Sequence, residues 1–233
     1  MNIISHRGAA GLALENTIEG IKKALGFPIY GIEIDVRMTK DRILVLCHDK
    51  SLKRVSKSQA EIANSALSDL RKVRLKNGEV IVTLEEAMQI IGSKFTVLDV
   101  KVDNCAEELV ATLDKFPNAN YVVSTLKHGL APKLRQLRDD FKIYLSGFIK
   151  PSETFDAARR YKANGLSLNA WSLNAITYRL AKRANLEMMA YTINWPFVAK
   201  FINRFYPAVA ICTDHPERFL NRSRTNGAEN KQI

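Results

Sequence analysis

Two carboxylates lie two positions apart in a strand-like run near the start of the chain. The run GIEIDV, residues 31–36, carries Glu33 and Asp35 between apolar residues. Because successive side chains of a strand point to opposite faces, these two acids share one face. Neighbouring carboxylates repel each other unless a cation lies between them. The spacing therefore predicts an inward-facing site for a positive charge.

A third acid follows in the next strand-like run, FTVLDV, where Asp99 has the same parity as Lys101. Adjacent strands would bring its carboxylate beside those of Glu33 and Asp35. Three carboxylates form a hard oxygen site, which suits Mg²⁺ or Ca²⁺ and is poor for zinc, a metal that prefers His or Cys. The predicted metal ligands are therefore Glu33, Asp35 and Asp99.

Two histidines are expected to reach this site by different routes. His6 ends the first strand-like run, and His48 ends RILVLCH, residues 42–48. We interpret 42–48 as the return arm of a hairpin that turns at Lys40-Asp41. That turn predicts that His48 folds back roughly across from Glu33.

A metal flanked by two imidazoles, with Arg7 and Lys101 nearby, is suited to phosphodiester cleavage. The metal and the two basic side chains would stabilise negative charge on the phosphate. One imidazole would accept a proton from the nucleophile and the other would donate one to the leaving alkoxide. The ordinary imidazole pKa of about 6.5 suits both tasks. The sequence has no Gly-x-Ser-x-Gly elbow and no Gly-rich phosphate loop, which argues against a serine hydrolase or a nucleotide-binding enzyme.

Strand-like and helix-like runs alternate almost to the end of the chain, which predicts a parallel sheet. The expected strands are 2–5, 31–36, 95–100, 121–125, 143–147, 165–169, 188–193 and 209–213. With 42–48 assigned to the hairpin, eight strand–helix units remain. We predict a (β/α)8 TIM barrel, whose active site would lie at the carboxyl ends of the strands.

The predicted domain organisation is a single barrel domain over residues 1–220. The polar stretch 50–80, after the second strand and its hairpin, is expected to be a small insertion near the barrel mouth. The polar tail 221–233 is expected to be disordered.

Composition restricts the class of protein further. The chain is 46% hydrophobic and 25% charged, an ordinary globular composition, and it has no apolar run long enough to span a membrane. The start, MNIISHRG, is interpreted as a first strand and not as a signal peptide. Three scattered cysteines fit no metal or disulfide pattern, so we expect a cytoplasmic protein.

The net charge of +11 is spread through the helical segments. Without the interleaved aromatic and basic residues of a nucleic-acid platform, it predicts solvated helix faces and no nucleic-acid partner.

Several short motifs, taken in order, resemble those of the glycerophosphodiester phosphodiesterase family over residues 3 to about 220. The motifs are His6-Arg7-Gly8, Glu15-Asn16-Thr17, Glu33-x-Asp35, Thr39-x-Asp41, His48-Asp49, Thr83-Leu84-Glu85-Glu86, Asp99-x-Lys101, Thr192-Ile193-Asn194 and Thr213-Asp214. A single His-Arg-Gly would be weak evidence, but the complete series in this order is specific.

The resemblance implies a TIM barrel with a small insertion and hydrolysis of small-molecule glycerophosphodiesters to glycerol 3-phosphate and an alcohol, with a divalent cation. By match to the motifs, the acid–base pair would be His6 and His48, the metal ligands Glu33, Asp35 and Asp99, and the phosphate-binding residues Arg7 and Lys101. Attack by water and attack by the glycerol 2-hydroxyl through a cyclic phosphate both fit these residues.

Three positions differ from the family pattern. Asp99 stands where Glu is usual, which shortens one ligand arm and bears on rate and metal preference. Arg42 stands where Gly is usual, so the hairpin turn must differ. Tyr191 stands where Trp is usual, and we expect it to form an aromatic wall of the substrate site.

Two alternatives remain open on the sequence alone. A lysophospholipid substrate would need an apolar groove that the polar stretch 50–80 does not obviously supply. A barrel that binds an anionic phosphodiester or an acidic membrane surface without turnover would explain Asp99, Arg42 and the net charge, but not the retention of both histidines.

Overall fold

The computed structural model describes residues 1–147 and 151–219. Its sheet has nine strands in the order β1-β9-β8-β7-β6-β5-β4-β2-β3, and β1 also pairs with β2, which closes the barrel. Eight strands are parallel, and the ninth, β3, is antiparallel to β2. The strands are β1 (Ile3–Ser5), β2 (Gly31–Met38), β3 (Leu44–Leu46), β4 (Phe95–Val100), β5 (Tyr121–Thr125), β6 (Ile143–Gly147), β7 (Gly165–Asn169), β8 (Glu187–Tyr191) and β9 (Val209–Thr213). The predicted TIM barrel is confirmed.

Helices follow most strands and surround the barrel. They are α1 (Ile18–Leu25), α2 (Leu67–Leu70), α3 (Leu84–Ile91), α4 (Ala106–Leu113), α5 (Leu130–Leu137), α6 (Pro151–Arg160), α7 (Ala175–Arg183) and α8 (Pro196–Phe205). The side chain of Thr17 caps α1, and Thr83 with Glu86 forms a complete capping box on α3. In the described part of the chain, no helix has the length and apolar character needed to cross a bilayer.

The hairpin arm β3 delivers His48 with a small change from the expected register. Val36 pairs with Leu46, and the N–H of Cys47 donates to the carbonyl of Asp35 at 3.1 Å. Continued by one residue, this register sets His48 against Ile34. The predicted partner was Glu33, one position away. The Gly-free turn uses Arg42 at φ +63°, a left-handed conformation that a glycine adopts more easily.

Within the described residues, the buried apolar side chains form three clusters. The largest lies between the helices and the outer face of the barrel. A second fills the barrel interior with Ile4, Val97, Val122, Tyr144, Met189 and Cys212. The third belongs mainly to the stretch 50–80, where Leu52, Ile62, Leu70 and Leu75 are buried together.

The stretch 50–80 thus has a small core of its own beside the carboxyl end of the barrel. The limits of the predicted domain, 1–220, stay a prediction. The predicted disordered tail, 221–233, lies outside the described residues.

Candidate active site

A cavity of about 360 Å³ opens at the carboxyl ends of the barrel strands. It is lined by seven of the eight side chains selected from the sequence, namely His6, Arg7, Glu33, His48, Asp99, Lys101 and Tyr191. The eighth, Asp35, does not line the cavity and is 1% exposed. Its carboxylate lies behind the wall, in contact with Arg7 and Lys101.

The three acids predicted as metal ligands lie together. Asp35 on β2 is in register with Asp99 on β4, and Glu33 lies one pleat before Asp35 on the same face. One carboxylate oxygen from each acid lies within 4.8 Å of the other two. Oδ1 of Asp99 is buried and accepts no hydrogen bond from any described residue. This all-oxygen donor set, with a free buried lone pair, fits a hard divalent cation.

Two basic side chains neutralise part of this negative charge. Nζ of Lys101 lies 2.8 Å from Oδ1 of Asp35 and also forms an ion pair with Asp99, and Nε of Arg7 lies 3.3 Å from Oδ2 of Asp35. Burial favours the protonated form of Asp35, but Lys101 and Arg7 outweigh it and hold the pKa of that carboxyl below its usual range. Asp35 is therefore an anion that is fixed by two cations.

The other two acids have raised pKa values. Burial, followed by repulsion from Asp35, raises the pKa of Glu33 to about 7. Burial also raises the pKa of Asp99, although Lys101 opposes this shift. Both shifts show that Arg7 and Lys101 do not fully offset the cost of ionising Glu33 and Asp99, and a bound cation would favour the ionised form of both.

Asn16 holds Asp35 in place from the loop after β1. Its Nδ2 donates to Oδ2 of Asp35 at 2.8 Å, and its Oδ1 accepts from the backbone N–H of Asp35 at 3.0 Å. The cap of α1 is formed by the next residue, Thr17. Asn16 is buried and has φ +56°, a conformation that Asn tolerates better than most residues.

His6 is oriented by a carboxylate from the far end of the chain. Its Nδ1 lies 2.6 Å from Oδ1 of Asp214, while its Nε2 lies 3.8 Å from Oε2 of Glu33. Asn194 donates from Nδ2 to Oδ2 of Asp214 at 2.8 Å and accepts the backbone N–H of Asp214 at 2.9 Å. Burial would lower the pKa of His6, but Glu33 and Asp214 outweigh burial and raise it.

His48 has a similar partner, but next to it in sequence. Its Nδ1 lies 2.8 Å from Oδ1 of Asp49. Oδ2 of Asp49 accepts a hydrogen bond from Nε of Arg54 at 2.6 Å, and this bond is the largest cause that lowers the pKa of Asp49 to about 2. The second imidazole is therefore positioned from the stretch 50–80.

Arg54 also reaches the phosphate-binding candidate Arg7 through Glu15. Nη1 and Nη2 of Arg54 donate to the two oxygens of Glu15 at 2.5 and 2.8 Å, and Nη1 of Arg7 donates to Glu15 at 3.2 Å. Burial would raise the pKa of Glu15, but Arg54 and Arg7 outweigh it and lower that pKa. One arginine thus links the supports of His48 and Arg7.

Further residues that the sequence analysis did not select also line the cavity. They are Ser124, Leu126, Ser167, Asn169, Met189, Thr192 and Cys212. Ser124 is in register with Asp99, and Asn169 with Tyr191, so strand alternation alone could have identified them. Burial, followed by the nearby Asp99, raises the pKa of Tyr191 to about 12, which keeps its hydroxyl protonated.

Comparison with known proteins agrees with this geometry. The glycerophosphoryl diester phosphodiesterase family model matches residues 6–218. A glycerophosphodiester phosphodiesterase of Caldanaerobacter subterraneus subsp. tengcongensis is 25% identical over 97% of this chain and 98% of that protein. Human lysophospholipase D GDPD1 is 34% identical over 49% of this chain and 33% of that protein. A solved Oleispira antarctica phosphodiesterase, in complex with the product sn-glycerol-3-phosphate, has a TM-score of 0.87 at 22% identity, covering 94% of this chain and 95% of that one.

The barrel, with acids, histidines and basic side chains at its mouth, fits the phosphodiesterase class of enzyme that the family match indicates. The chain belongs to the glycerophosphoryl diester phosphodiesterase family. The resemblance drawn from the motifs and the prediction that the protein is an enzyme of this class are both confirmed.

Proposed function

We propose that this protein hydrolyses glycerophosphodiesters to glycerol 3-phosphate and an alcohol, with a divalent cation and with His6 and His48 as the acid–base pair. The observation that carries the proposal is the shared cavity, which is lined by both imidazoles together with Glu33 and Asp99. Family membership and the glycerol 3-phosphate bound to the Oleispira antarctica phosphodiesterase support the choice of substrate.

Glu33, Asp35 and Asp99 would hold the cation, with Mg²⁺ or Ca²⁺ as the candidate ions. The close approach of their oxygens and the unpartnered Oδ1 of Asp99 support this assignment. When bound, the ion would neutralise charge that develops on the phosphate.

Each histidine would use Nε2 for proton transfer. Asp214 engages Nδ1 of His6, and Asp49 engages Nδ1 of His48. A carboxylate can only accept, so it favours the tautomer with a proton on Nδ1 and leaves Nε2 for the substrate. Arg7 and Lys101 would bind the phosphate oxygens, and Tyr191, which also lines the cavity, would contact the remainder of the substrate.

The test is release of glycerol 3-phosphate from glycerophosphocholine and glycerophosphoethanolamine. We expect turnover that EDTA abolishes and that Mg²⁺ or Ca²⁺ restores. His6→Ala and His48→Ala should each reduce kcat by about 10²–10⁴-fold, the usual contribution of general acid–base catalysis. His128→Ala is the matched control, because His128 does not line the cavity.

Failure of metal-loaded protein to release product from any headgroup would contradict the proposal. Binding of the diester without hydrolysis would support the non-catalytic alternative. Faster turnover of a lysophospholipid would favour the other alternative, for which the name of the human lysophospholipase D relative is the support.

We also propose a cytoplasmic location. In its support, the three cysteines are free and buried, as expected for a protein of a reducing compartment. Fractionation of the source cells with an antibody to the protein would test the location, and recovery outside the cytoplasm would contradict it.

A further inference from the structure

A row of exposed aromatic side chains begins at the barrel mouth and follows α8. Trp195 precedes the helix, and Phe197, Phe201 and Phe205 follow at intervals of four residues, which places them along one side of the helix. Their exposed fractions are 60%, 70%, 56% and 58%. We call these four residues the aromatic ridge. The ring centroids of Trp195 and Phe197 are 6.4 Å apart, and those of Phe201 and Phe205 are 4.6 Å apart.

The aromatic ridge is not needed to attach α8 to the barrel. The helix packs through other positions, of which Ala199 and Ile202 are buried. Single exposed apolar residues are common, but four large aromatic side chains grouped on one surface mark an interaction site.

Basic residues are numerous on α8 and on α7, the helix before it, and neither helix contains an acid. The two helices carry five exposed basic residues, Arg179, Lys182, Arg183, Lys200 and Arg204. Among residues 1–147 and 151–219, none of the five is in an ion pair. The guanidinium of Arg218 lies 5.7 Å from the ring centroid of Trp195, and its charge is paired with Glu217 at 3.6 Å.

We propose that the aromatic ridge, with the basic residues of α7 and α8, docks the enzyme on an anionic phospholipid bilayer. The four rings would enter the boundary between headgroups and acyl chains, while the lysines and arginines would contact lipid phosphates. This docking goes beyond the proposed hydrolysis and does not depend on it.

The charge and shape of the surface favour a bilayer over a second copy of the chain and over single-stranded nucleic acid. In a two-fold dimer the same surface faces itself, so the five basic residues would oppose their own copies. Single-stranded nucleic acid is usually bound in a positively charged groove, where bases stack on aromatic side chains. The ridge here is instead the exposed side of a helix, a shape suited to shallow insertion into a flat surface.

Docking of this kind would set the cavity beside the membrane. Trp195 directly follows Asn194, whose side chain holds Asp214 and, through it, His6. The ridge therefore starts at the end of the barrel where the cavity opens.

Vesicle co-sedimentation tests the proposal with the intact chain. We expect binding to vesicles of phosphatidylcholine mixed with phosphatidylglycerol, weakening with added NaCl, and much weaker binding to phosphatidylcholine alone. The triple variant Phe197→Ser, Phe201→Ser, Phe205→Ser and the double variant Lys200→Glu, Arg204→Glu should each bind anionic vesicles at least about tenfold more weakly. Both variants should hydrolyse a soluble diester as the parent does.

Matched controls separate this surface from general charge. The double variant Lys57→Glu, Lys76→Glu makes the same change in net charge within 50–80 and should retain most vesicle binding. The chain has two tryptophans, so Trp171→Phe leaves Trp195 as the only indole. The fluorescence emission of Trp195 in this variant should shift to shorter wavelength when anionic vesicles are added.

Several results would overturn the proposal. The first is binding of the triple serine variant as tight as that of the parent, and the second is equal binding to neutral and anionic vesicles. The third is that Lys57→Glu, Lys76→Glu weakens vesicle binding as much as Lys200→Glu, Arg204→Glu does. Absence of vesicle binding would also overturn it. In that case, light scattering would test for a dimer that the triple serine variant loses, and titration would test for oligonucleotide binding.

Discussion

At the scale of single residues, the contact between His6 and Asp214 is held in place by a further hydrogen bond from Asn194. The two oxygens of Asp214 accept from two different donors, Nδ1 of His6 and Nδ2 of Asn194. Burial would raise the pKa of Asp214, but these hydrogen bonds outweigh it and lower the pKa. Asp214 is therefore an anion whose role is to hold the His6 ring.

Asp214→Asn should reduce kcat by about ten- to a hundredfold, with KM and melting temperature little changed. An asparagine cannot accept from both donors, so its amide group would face either Asn194 or Nδ1 of His6. The second arrangement favours the tautomer with the proton on Nε2. Steady-state kinetics of the parent and the variant measure the effect, with Asp114→Asn as an exposed control.

A fall in melting temperature with proportional loss of activity would show that Asp214 is only structural. Unchanged kcat would show that the orientation of His6 is unimportant.

Residues of the site could be selected from the sequence where parity or a motif identified them, as for Glu33, Asp35 and Asp99. The role of Asp214 could not be deduced in this way. It lies 208 positions from His6, and the two meet only because β1 pairs with β9 when the barrel closes. Arg54 was missed because the stretch around it has neither strand nor helix periodicity.

At the scale of elements, the stretch 50–80 acts as more than an insertion. Its Arg54 bonds to Asp49, which holds His48, and to Glu15, which holds Arg7. One side chain from outside the barrel therefore supports residues on two sides of the cavity.

Arg54→Ala should lower kcat/KM by about ten- to a hundredfold, because small displacements of catalytic groups are costly. Arg54→Lys should recover only part of the loss, since an ammonium cannot reproduce the forked contacts with both acids. The neighbouring Lys53→Ala is the matched control. Kinetics equal to those of the parent would show that Arg54 does not position the site.

Close approach of β2 and β4 should make Gly31 intolerant of a side chain. A Cβ at this position would lie 2.6 Å from the carbonyl oxygen of Phe95. Gly31→Ala should therefore destabilise the protein by about 1–3 kcal/mol, the usual cost of overpacking. Gly26→Ala is the control, because its nearest backbone atom would be 3.3 Å away at an ordinary φ of −68°. Equal midpoints of urea denaturation for the two variants would contradict this.

The strands could be predicted because each is a short apolar run between polar turns, and β4, β5, β6, β7 and β9 have the expected bounds. Register was harder to predict. The turn at Lys40-Asp41 did not reveal how many residues the hairpin would use, so His48 was expected one position away from its place. The identity of an element depends on its pattern, whereas register depends on the turn geometry.

At the scale of the whole molecule, the packed core should protect every thiol. Cys47, Cys105 and Cys212 are buried, and burial raises the pKa of Cys47 to about 11 and that of Cys105 to about 12. Since the thiolate is the reactive form, we expect negligible reaction of native protein with Ellman's reagent and reaction of three thiols after denaturation in urea. A fast-reacting thiol in native protein would contradict this packing.

The central claim is that chain segments far apart in sequence bring three acids to one divalent ion and two imidazoles to one phosphate. A crystal soaked with Mn²⁺ and glycerol 3-phosphate tests it most directly. We predict an anomalous peak bonded to carboxylate oxygens of Glu33, Asp35 and Asp99, with Nε2 of His6 and of His48 both directed at the phosphate. No peak at these acids, or a phosphate that neither imidazole reaches, would contradict the account.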